Sequence, residues 1–207
     1  MAPQTTKAER TSSLRPPAGF SRRDFLRGSS AVAAASALQQ QATALAQEAA
    51  GVAIVAGETA ITLNVNGKDH QVKAEPRTTL LDVLRYQLDL TGAKPVCNDG
   101  SSGAATILVD GKPMQANVML ALQAVGKKIQ SVESLAGDAV PKAFVECDAQ
   151  QCGFCTPGFV VAVRAFLNQK PKATEEEIRK GLNGNLCRCG TYANIVHAAL
   201  LVVKGDA

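Results

Sequence analysis

The chain has 207 residues, with 22 Lys and Arg against 18 Asp and Glu and no tryptophan. Residues 1–46 hold six of the basic and two of the acidic residues, so the net charge of +4 belongs to that segment and residues 47–207 are neutral. A neutral body with few aromatics gives nucleic-acid binding no electrostatic support, while roughly 160 residues suffice for one or two small cores.

The first segment reads as an address. Ser21-Arg22-Arg23-Asp24-Phe25-Leu26-Arg27 is a twin-arginine export motif, followed by the weakly apolar run Ala31–Leu38 and the small-residue site Ala44-Leu45-Ala46. That run is far shorter than the roughly 20 residues needed to span a bilayer, so residues 1–46 are expected to be a cleaved signal peptide. The alternative is a disordered basic tail with a chance Arg-Arg pair. Proteins exported by this route load cofactors in the cytoplasm, before an oxidising compartment turns thiols into disulfides. No later stretch is long and apolar enough to be a transmembrane helix.

Residues 47–58 look like a linker. Ile61–Val65 alternates with period two and predicts a strand. Asn66-Gly67 is a hairpin turn signal, with His70–Ala74 as the return strand. Thr79–Arg85 has helical spacing and a threonine cap. Residues 91–104, rich in Gly, Asn, Asp and Ser, are expected to be loop. Ala105–Val109 predicts a strand closed by Asp110-Gly111, with a further strand near Gln115–Leu120. Two hairpins on one helix make a small α+β unit.

The second half reads as helical. Helices are expected over Lys142–Gln150, from the Thr156-Pro157 cap through Phe166, from the Thr174–Glu177 capping box through Leu182, and over Tyr192–Val203. Two cysteine pairs lie between them: Cys152 and Cys155 in a C-x2-C, Cys187 and Cys189 in a C-x-C. Thiolates so spaced suit an iron–sulfur cluster or tetrahedral zinc, and disulfides are a further alternative. Structural zinc sites favour two C-x2–4-C knuckles, and C-x-C is tighter. The Glu175–Glu177 run is a helix-start feature and not a catalytic carboxylate pair. Nothing in the chain combines a nucleophile with a base.

Gln151-Cys-Gly-Phe-Cys-Thr-Pro-Gly158 and Gly184-Asn-Leu-Cys-Arg-Cys-Gly190 resemble the iron–sulfur subunit of the molybdenum hydroxylases, the xanthine dehydrogenase and aldehyde oxidoreductase family. With its leader, the chain is most similar to the small subunit of the periplasmic aldehyde oxidoreductases, over residues 60–203. The resemblance implies an α+β protein: an N-terminal β-grasp (ferredoxin-like) domain at 59–133, then a four-helix bundle at 134–207. It implies that Cys152, Cys155, Cys187 and Cys189 hold a [2Fe–2S] cluster, and that Gln151 faces the pterin of a molybdenum cofactor in a partner subunit.

Family members carry a second cluster in the ferredoxin-like half, on a C-x4-C-x2-C loop with a fourth cysteine after the next hairpin. Here those positions hold Cys97, Ser102, Ala105 and Asn117. Ser102 has an oxygen able to ligate iron, alanine has no donor, and asparagine is a poor partner for soft iron–sulfur chemistry. The expectation is one [2Fe–2S] cluster in an electron-transfer subunit, exported to the periplasm. Its partners would be a molybdopterin-binding large subunit that oxidises an aldehyde or heterocycle, and an acceptor such as a cytochrome or a flavin subunit. The rival reading is a structural adaptor that exports its partner and holds zinc or a non-functional site. Cys97 is expected to be a relic thiol, Cys147 a small buried residue, His197 a packing or surface residue, and Arg188 either a solvated arginine or a charge acting on the cluster or partner.

Overall fold

A computed structural model describes residues 55–206. The export segment at 1–46 and most of the 47–58 linker lie outside them. The first strand, β1 (Thr59–Val65), places Leu63 and Val65 on its buried face. The Asn66-Gly67 turn follows, and β2 (Lys68–Ala74) pairs antiparallel in the register Val65↔Lys68 through Thr59↔Ala74. A two-residue turn starts the return strand at once, so β2 begins two residues before the expected His70.

Thr79 caps the next helix. Its hydroxyl accepts from the Asp82 backbone N–H, and the Asp82 carboxylate reaches back to the Thr79 N–H and hydroxyl. This helix, α1 (Leu80–Asp82), runs on as a π-helical turn (Val83–Gln87) that the sequence periodicity did not show. The wider turn closes with Leu88 N–H on the Val83 carbonyl, 3.1 Å. Arg85 then reaches past the helix end and donates to the carbonyls of Thr91 and Ala93, 2.7 and 2.8 Å, pinning the start of the 91–104 loop.

The second hairpin joins β3 (Thr106–Val109) to β4 (Lys112–Gln115), with Val109↔Lys112 flanking the turn. The strand expected at Gln115–Leu120 is thus misplaced. The tight Asp110-Gly111 turn forces the return strand to start at Lys112, and beyond Gln115 only Leu120 bridges, to Thr79. A fifth strand, β5 (Lys128–Gln130), was not expected. Three residues of one alternation are too short a pattern to stand out. It joins the hairpins, parallel to β1 and antiparallel to β3, and gives the sheet order β2-β1-β5-β3-β4.

Four helices follow a 3₁₀ turn (Val132–Leu135): α2 (Ala139–Glu146), α3 (Thr156–Gln169), α4 (Glu175–Gly181) and α5 (Tyr192–Lys204). Helix α2 starts earlier than the expected Lys142. Asp138 caps it by accepting from the Val140 N–H at 2.8 Å, and Pro141 sits in the first turn, where its missing N–H costs nothing. Helix α3 begins at Thr156 with Cys155 as its N-cap residue and no side-chain cap, so Pro157 is the second helical residue and not the first as expected.

Residues 55–206 form one compact unit with two apolar clusters. Strand β3 divides them. All four of its residues are buried: Ile107 and Val109 enter the sheet core, while Leu108 enters the helical core. A strand covered on both faces reads as a continuous apolar run, as Thr-Ile-Leu-Val does here. Helix α3 fills the centre of the second core through Phe159, Val160, Val161, Val163 and Leu167. Each such side chain contributes about 1.5–3 kcal/mol on burial. Among the described residues no helix is long and apolar enough to cross a membrane.

Helix α4 is short and exposed, and relies on its cap. The Glu177 carboxylate accepts from the Thr174 N–H at 2.9 Å and from the Lys170 ammonium at 2.9 Å. These contacts, the Thr174 backbone first, hold its pKa down at about 2 against an ordinary 4.5. Because the folded value is depressed, the stabilisation is complete above the unfolded value and is lost as pH falls from about 4.5 toward 2. Urea-midpoint measurements across that window are expected to show Glu177→Gln with a shallower acid loss than the unaltered chain. Parallel acid limbs would refute this assignment.

Candidate metal centre

The cysteine pairs sit where helices end. Cys152 and Cys155 lie on the turn between α2 and α3, and Cys187 and Cys189 on the turn between α4 and α5. Gly153 allows the tight C-x2-C reversal, with φ at +80° where a side chain would be strained and would press on Gln150. Cys187 is held from three sides. Its N–H donates to the Tyr192 hydroxyl, 2.8 Å; its sulfur lies 3.1 Å from Thr191 Oγ1; and the preceding Leu186 N–H donates to the Ser102 carbonyl, 3.0 Å. The Tyr192 ring stands edge-on to Phe159 of α3, at 6.1 Å.

All six cysteines are free thiols. The four in the two motifs meet in twos, Cys152 beside Cys189 and Cys155 beside Cys187. Among the described residues no three His, Cys, Asp or Glu side chains converge on a single ion position. Tetrahedral zinc needs four ligands around one point. Two facing pairs suit a dinuclear centre, in which two bridging sulfides complete the shell of each iron. A cavity of about 430 Å³ opens here, lined by Cys152, Cys155, Cys187, Arg188, Phe154 and Leu186, with Val96, Ser102 and Ala104 from the sheet half. The donor set and the space fit a [2Fe–2S] cluster.

The thiols are poised unequally. Burial pushes Cys155 up to about 12, with the Cys187 thiol adding to the effect. For Cys187 burial also opposes ionisation, but hydrogen bonds from Thr191 outweigh it and bring the thiol down to about 7. The Phe154 backbone N–H lowers Cys152. Cys189 receives a lowering hydrogen bond from the Cys152 backbone but is raised on balance by the Cys152 thiol and the charge of its neighbours. Four thiolates this close repel one another, and bound cations relieve that repulsion.

The corresponding place in the sheet half does not fit a cluster. The Cys97 sulfur lies 2.9 Å from Ser102 Oγ and accepts from the Ser102 N–H at 3.3 Å. Asn117, buried, donates its amide to the Cys97 carbonyl at 2.7 Å. Ala105 is buried among the apolar residues of the sheet core. A hydrogen-bonded knot closes this loop, with one thiol where an iron–sulfur centre needs four. Gly103 accepts from the Asn185 amide, 2.8 Å, and Ser102 from Leu186, so the loop braces the segment that carries Cys187.

Other residues fall as follows. Gln151 is exposed beside Cys152, Arg188 is exposed and lines the cavity, and His197 is on the surface. Cys147 is half-buried and not buried as expected, because it follows the last turn of α2 at the edge of the helical core. Desolvation still raises its thiol. Sequence reasoning missed the contributions of Thr191, Tyr192 and the 94–104 loop. The Thr-Tyr pair directly after Cys-Arg-Cys-Gly was a legible signal, whereas the loop contacts join residues some 80 positions apart.

Comparison with known proteins agrees with this geometry. Residues 130–200 match the family model for a [2Fe-2S] binding domain, and residues 19–38 match that for a TAT (twin-arginine translocation) pathway signal sequence. The chain is 42% identical to the nicotinate dehydrogenase small FeS subunit of Eubacterium barkeri, across 68% of this chain and 91% of that protein. It is 37% identical to the aldehyde oxidoreductase iron-sulfur-binding subunit PaoA of Escherichia coli K12, across 86% of each. Among solved structures, one chain of quinoline 2-oxidoreductase from Pseudomonas putida 86 superposes with a TM-score of 0.66 at 38% identity, across 72% of this chain and 99% of that one. The chain belongs to the family of iron–sulfur small subunits of the molybdenum hydroxylases, the xanthine dehydrogenase and aldehyde oxidoreductase group.

Proposed function

We propose that this chain is the electron-transfer subunit of a periplasmic molybdenum hydroxylase, and that Cys152, Cys155, Cys187 and Cys189 are its metal ligands. The observation that carries the reading is the meeting of four free thiols, two by two, between two helix-end turns, with Cys152, Cys155 and Cys187 lining one cavity and Cys189 beside Cys152. Cys152 and Cys189 would share one iron, Cys155 and Cys187 the other. When bound, a [2Fe–2S] cluster supplies one-electron storage between a two-electron oxidation in the partner subunit and a later acceptor.

The chain's own residues hold and shield that group. Thr191, Tyr192 and the Ser102 carbonyl fix Cys187 and its neighbour, while Phe154, Leu186 and Val96 wall the cavity with apolar side chains. In this reading residues 59–133 are a degenerate ferredoxin-like β-grasp domain and α2–α5 a four-helix bundle. Gln151, exposed at the outer cysteine, contacts the pterin of the molybdopterin cofactor in the large subunit. The twin-arginine leader delivers the assembly to the periplasm. The substrate is an aldehyde or an N-heterocycle, and the acceptor is a cytochrome or a flavin subunit docking without a second relay in this chain.

The test is metal analysis with reduced-state EPR on the purified complex. About two irons and two acid-labile sulfides per small subunit are expected, with one [2Fe–2S] signal. About four irons with two signals, or zinc in place of iron, would overturn the proposal.

A further inference from the structure

Lys94 reaches from the sheet half to Phe154, a residue that lines the metal centre. Its backbone N–H donates to the Ala104 carbonyl, 3.0 Å, across the base of the 94–104 loop. Its ammonium donates to the Thr91 carbonyl at 2.8 Å and lies over the Phe154 ring, 6.0 Å from the centroid. Phe154 stands between Cys152 and Cys155 and lines the cavity. Thr91 and the ring are neutral partners, and among the described residues Lys94 makes no ion pair with a carboxylate within 4.0 Å. An unneutralised cation is therefore held against the one aromatic residue inside the C-x2-C turn. A lysine with four rotatable bonds stays in one place only if something holds it, and here the Thr91 carbonyl and the ring face do so. The Thr91 carbonyl is itself fixed by Arg85.

Resting on the reading of the four cysteines as cluster ligands, we propose that Lys94 is a positioning residue that sets the reduction potential of the centre: the sheet half, without iron of its own, supplies a fixed positive charge to the cluster of the helical half. The physical basis is simple. Reduction adds one electron and thus one negative charge to a group that is already anionic. A cation held nearby stabilises the reduced form more than the oxidised form and raises the potential. Phe154, Val96 and Leu186 are each about half exposed, so water and salt temper the charge and the expected shift is modest. Arg188 lies on the same cavity but is exposed, and water and salt screen it more.

The experiment is a potentiometric titration of the complete complex, followed by the EPR signal of the reduced centre, for the unaltered protein, Lys94→Met, Lys94→Arg and Phe154→Leu. Methionine keeps the length and loses the charge. The expected result is a lower potential in Lys94→Met, with the one-electron reduction equilibrium weakened several-fold and at most about tenfold, or about 59 mV. The difference should shrink as ionic strength rises. Lys94→Arg should retain the original potential. Phe154→Leu keeps an apolar wall but releases the ammonium, and should shift the potential the same way by less. It also tests the proposal if Lys94→Met fails to accumulate. An unchanged potential in iron-loaded Lys94→Met or Phe154→Leu, or a drop in Lys94→Arg equal to that in Lys94→Met, overturns the proposal. Iron and sulfide content of the unaltered complex tests the ligand reading separately, since it does not depend on the charge at residue 94.

Discussion

Replacing Cys155 or Cys187 by alanine is expected to remove the iron from the small subunit and abolish substrate-linked electron transfer, whereas Cys97→Ala leaves both intact. Cys155 and Cys187 are the inner pair, one half-buried and one buried, and each is built into the local fold. Cys155 is the N-cap residue of α3, and Cys187 is fixed through Thr191, Tyr192 and Leu186. Losing either leaves three thiols for two irons. A metal held only by the folded chain adds to its stability, so under this assignment the helical half should also lose stability, on the order of several kcal/mol. Cys97→Ala breaks only the sulfur's hydrogen bonds with Ser102 and the long one from the Asn117 amide, each worth about 1 kcal/mol or less. Iron analysis, the visible spectrum and a thermal melt of the three variants decide the matter. A bleached spectrum from Cys97→Ala, or a full iron complement in Cys155→Ala, would contradict the ligand assignment.

The second large effect is expected at the seam between the halves. Gly103 has φ at +70°, and a Cβ there would collide with the Gly184 carbonyl and lie 2.7 Å from Asn185 Cα. Gly158, in the first turn of α3, would drive its Cβ into the Gly103 carbonyl and to 3.1 Å from Ala104 Cα. These contacts are with backbone, which cannot swing aside. Gly103→Ala and Gly158→Ala should each destabilise the chain by about 2–4 kcal/mol, a drop of roughly 5–15 °C in the melting midpoint. Because Gly103 and Ser102 brace Asn185 and Leu186, both variants should also retain less iron after dilution. Gly67→Ala gives a control with a left-handed φ but open space around it, and should cost only the conformational strain, about 1 kcal/mol. Melting midpoints of the seam variants no lower than that of the control would mean that the seam yields.

Short-range chemistry was the legible part. The Asn66-Gly67 and Asp110-Gly111 turns, the caps at Thr79 and Thr174, and the amphipathic α5 are each written in a few adjacent residues, and all are present. Misplaced elements share a different cause. Strand β5 has three residues and is defined by partners on β1 and β3, which lie about 20 to 65 positions away. Pairing with β3 selects Lys112–Gln115 for the return strand, in place of the expected Gln115–Leu120. Helix α2 begins before Pro141 and not at the expected Lys142, because a proline in the first turn removes no hydrogen bond.

For the metal centre the division is sharper. The candidate ligands, and the absence of thiols at Ser102, Ala105 and Asn117, are read from residue type, because soft iron–sulfur chemistry accepts few atoms. The sequence alone therefore determined the chemical class of the site, its likeness to a family and the export signal. The pairing of thiols across two turns, the hydrogen-bonded knot at Cys97 and the reach of Lys94 to Phe154 depend on β3 packing between two cores. That packing brings Gly103 against Asn185 and Lys94 against Phe154. Only the tertiary structure decided them, since contacts between residues from about 20 to about 80 positions apart are chosen by the burial of whole faces and leave no periodic trace in either segment.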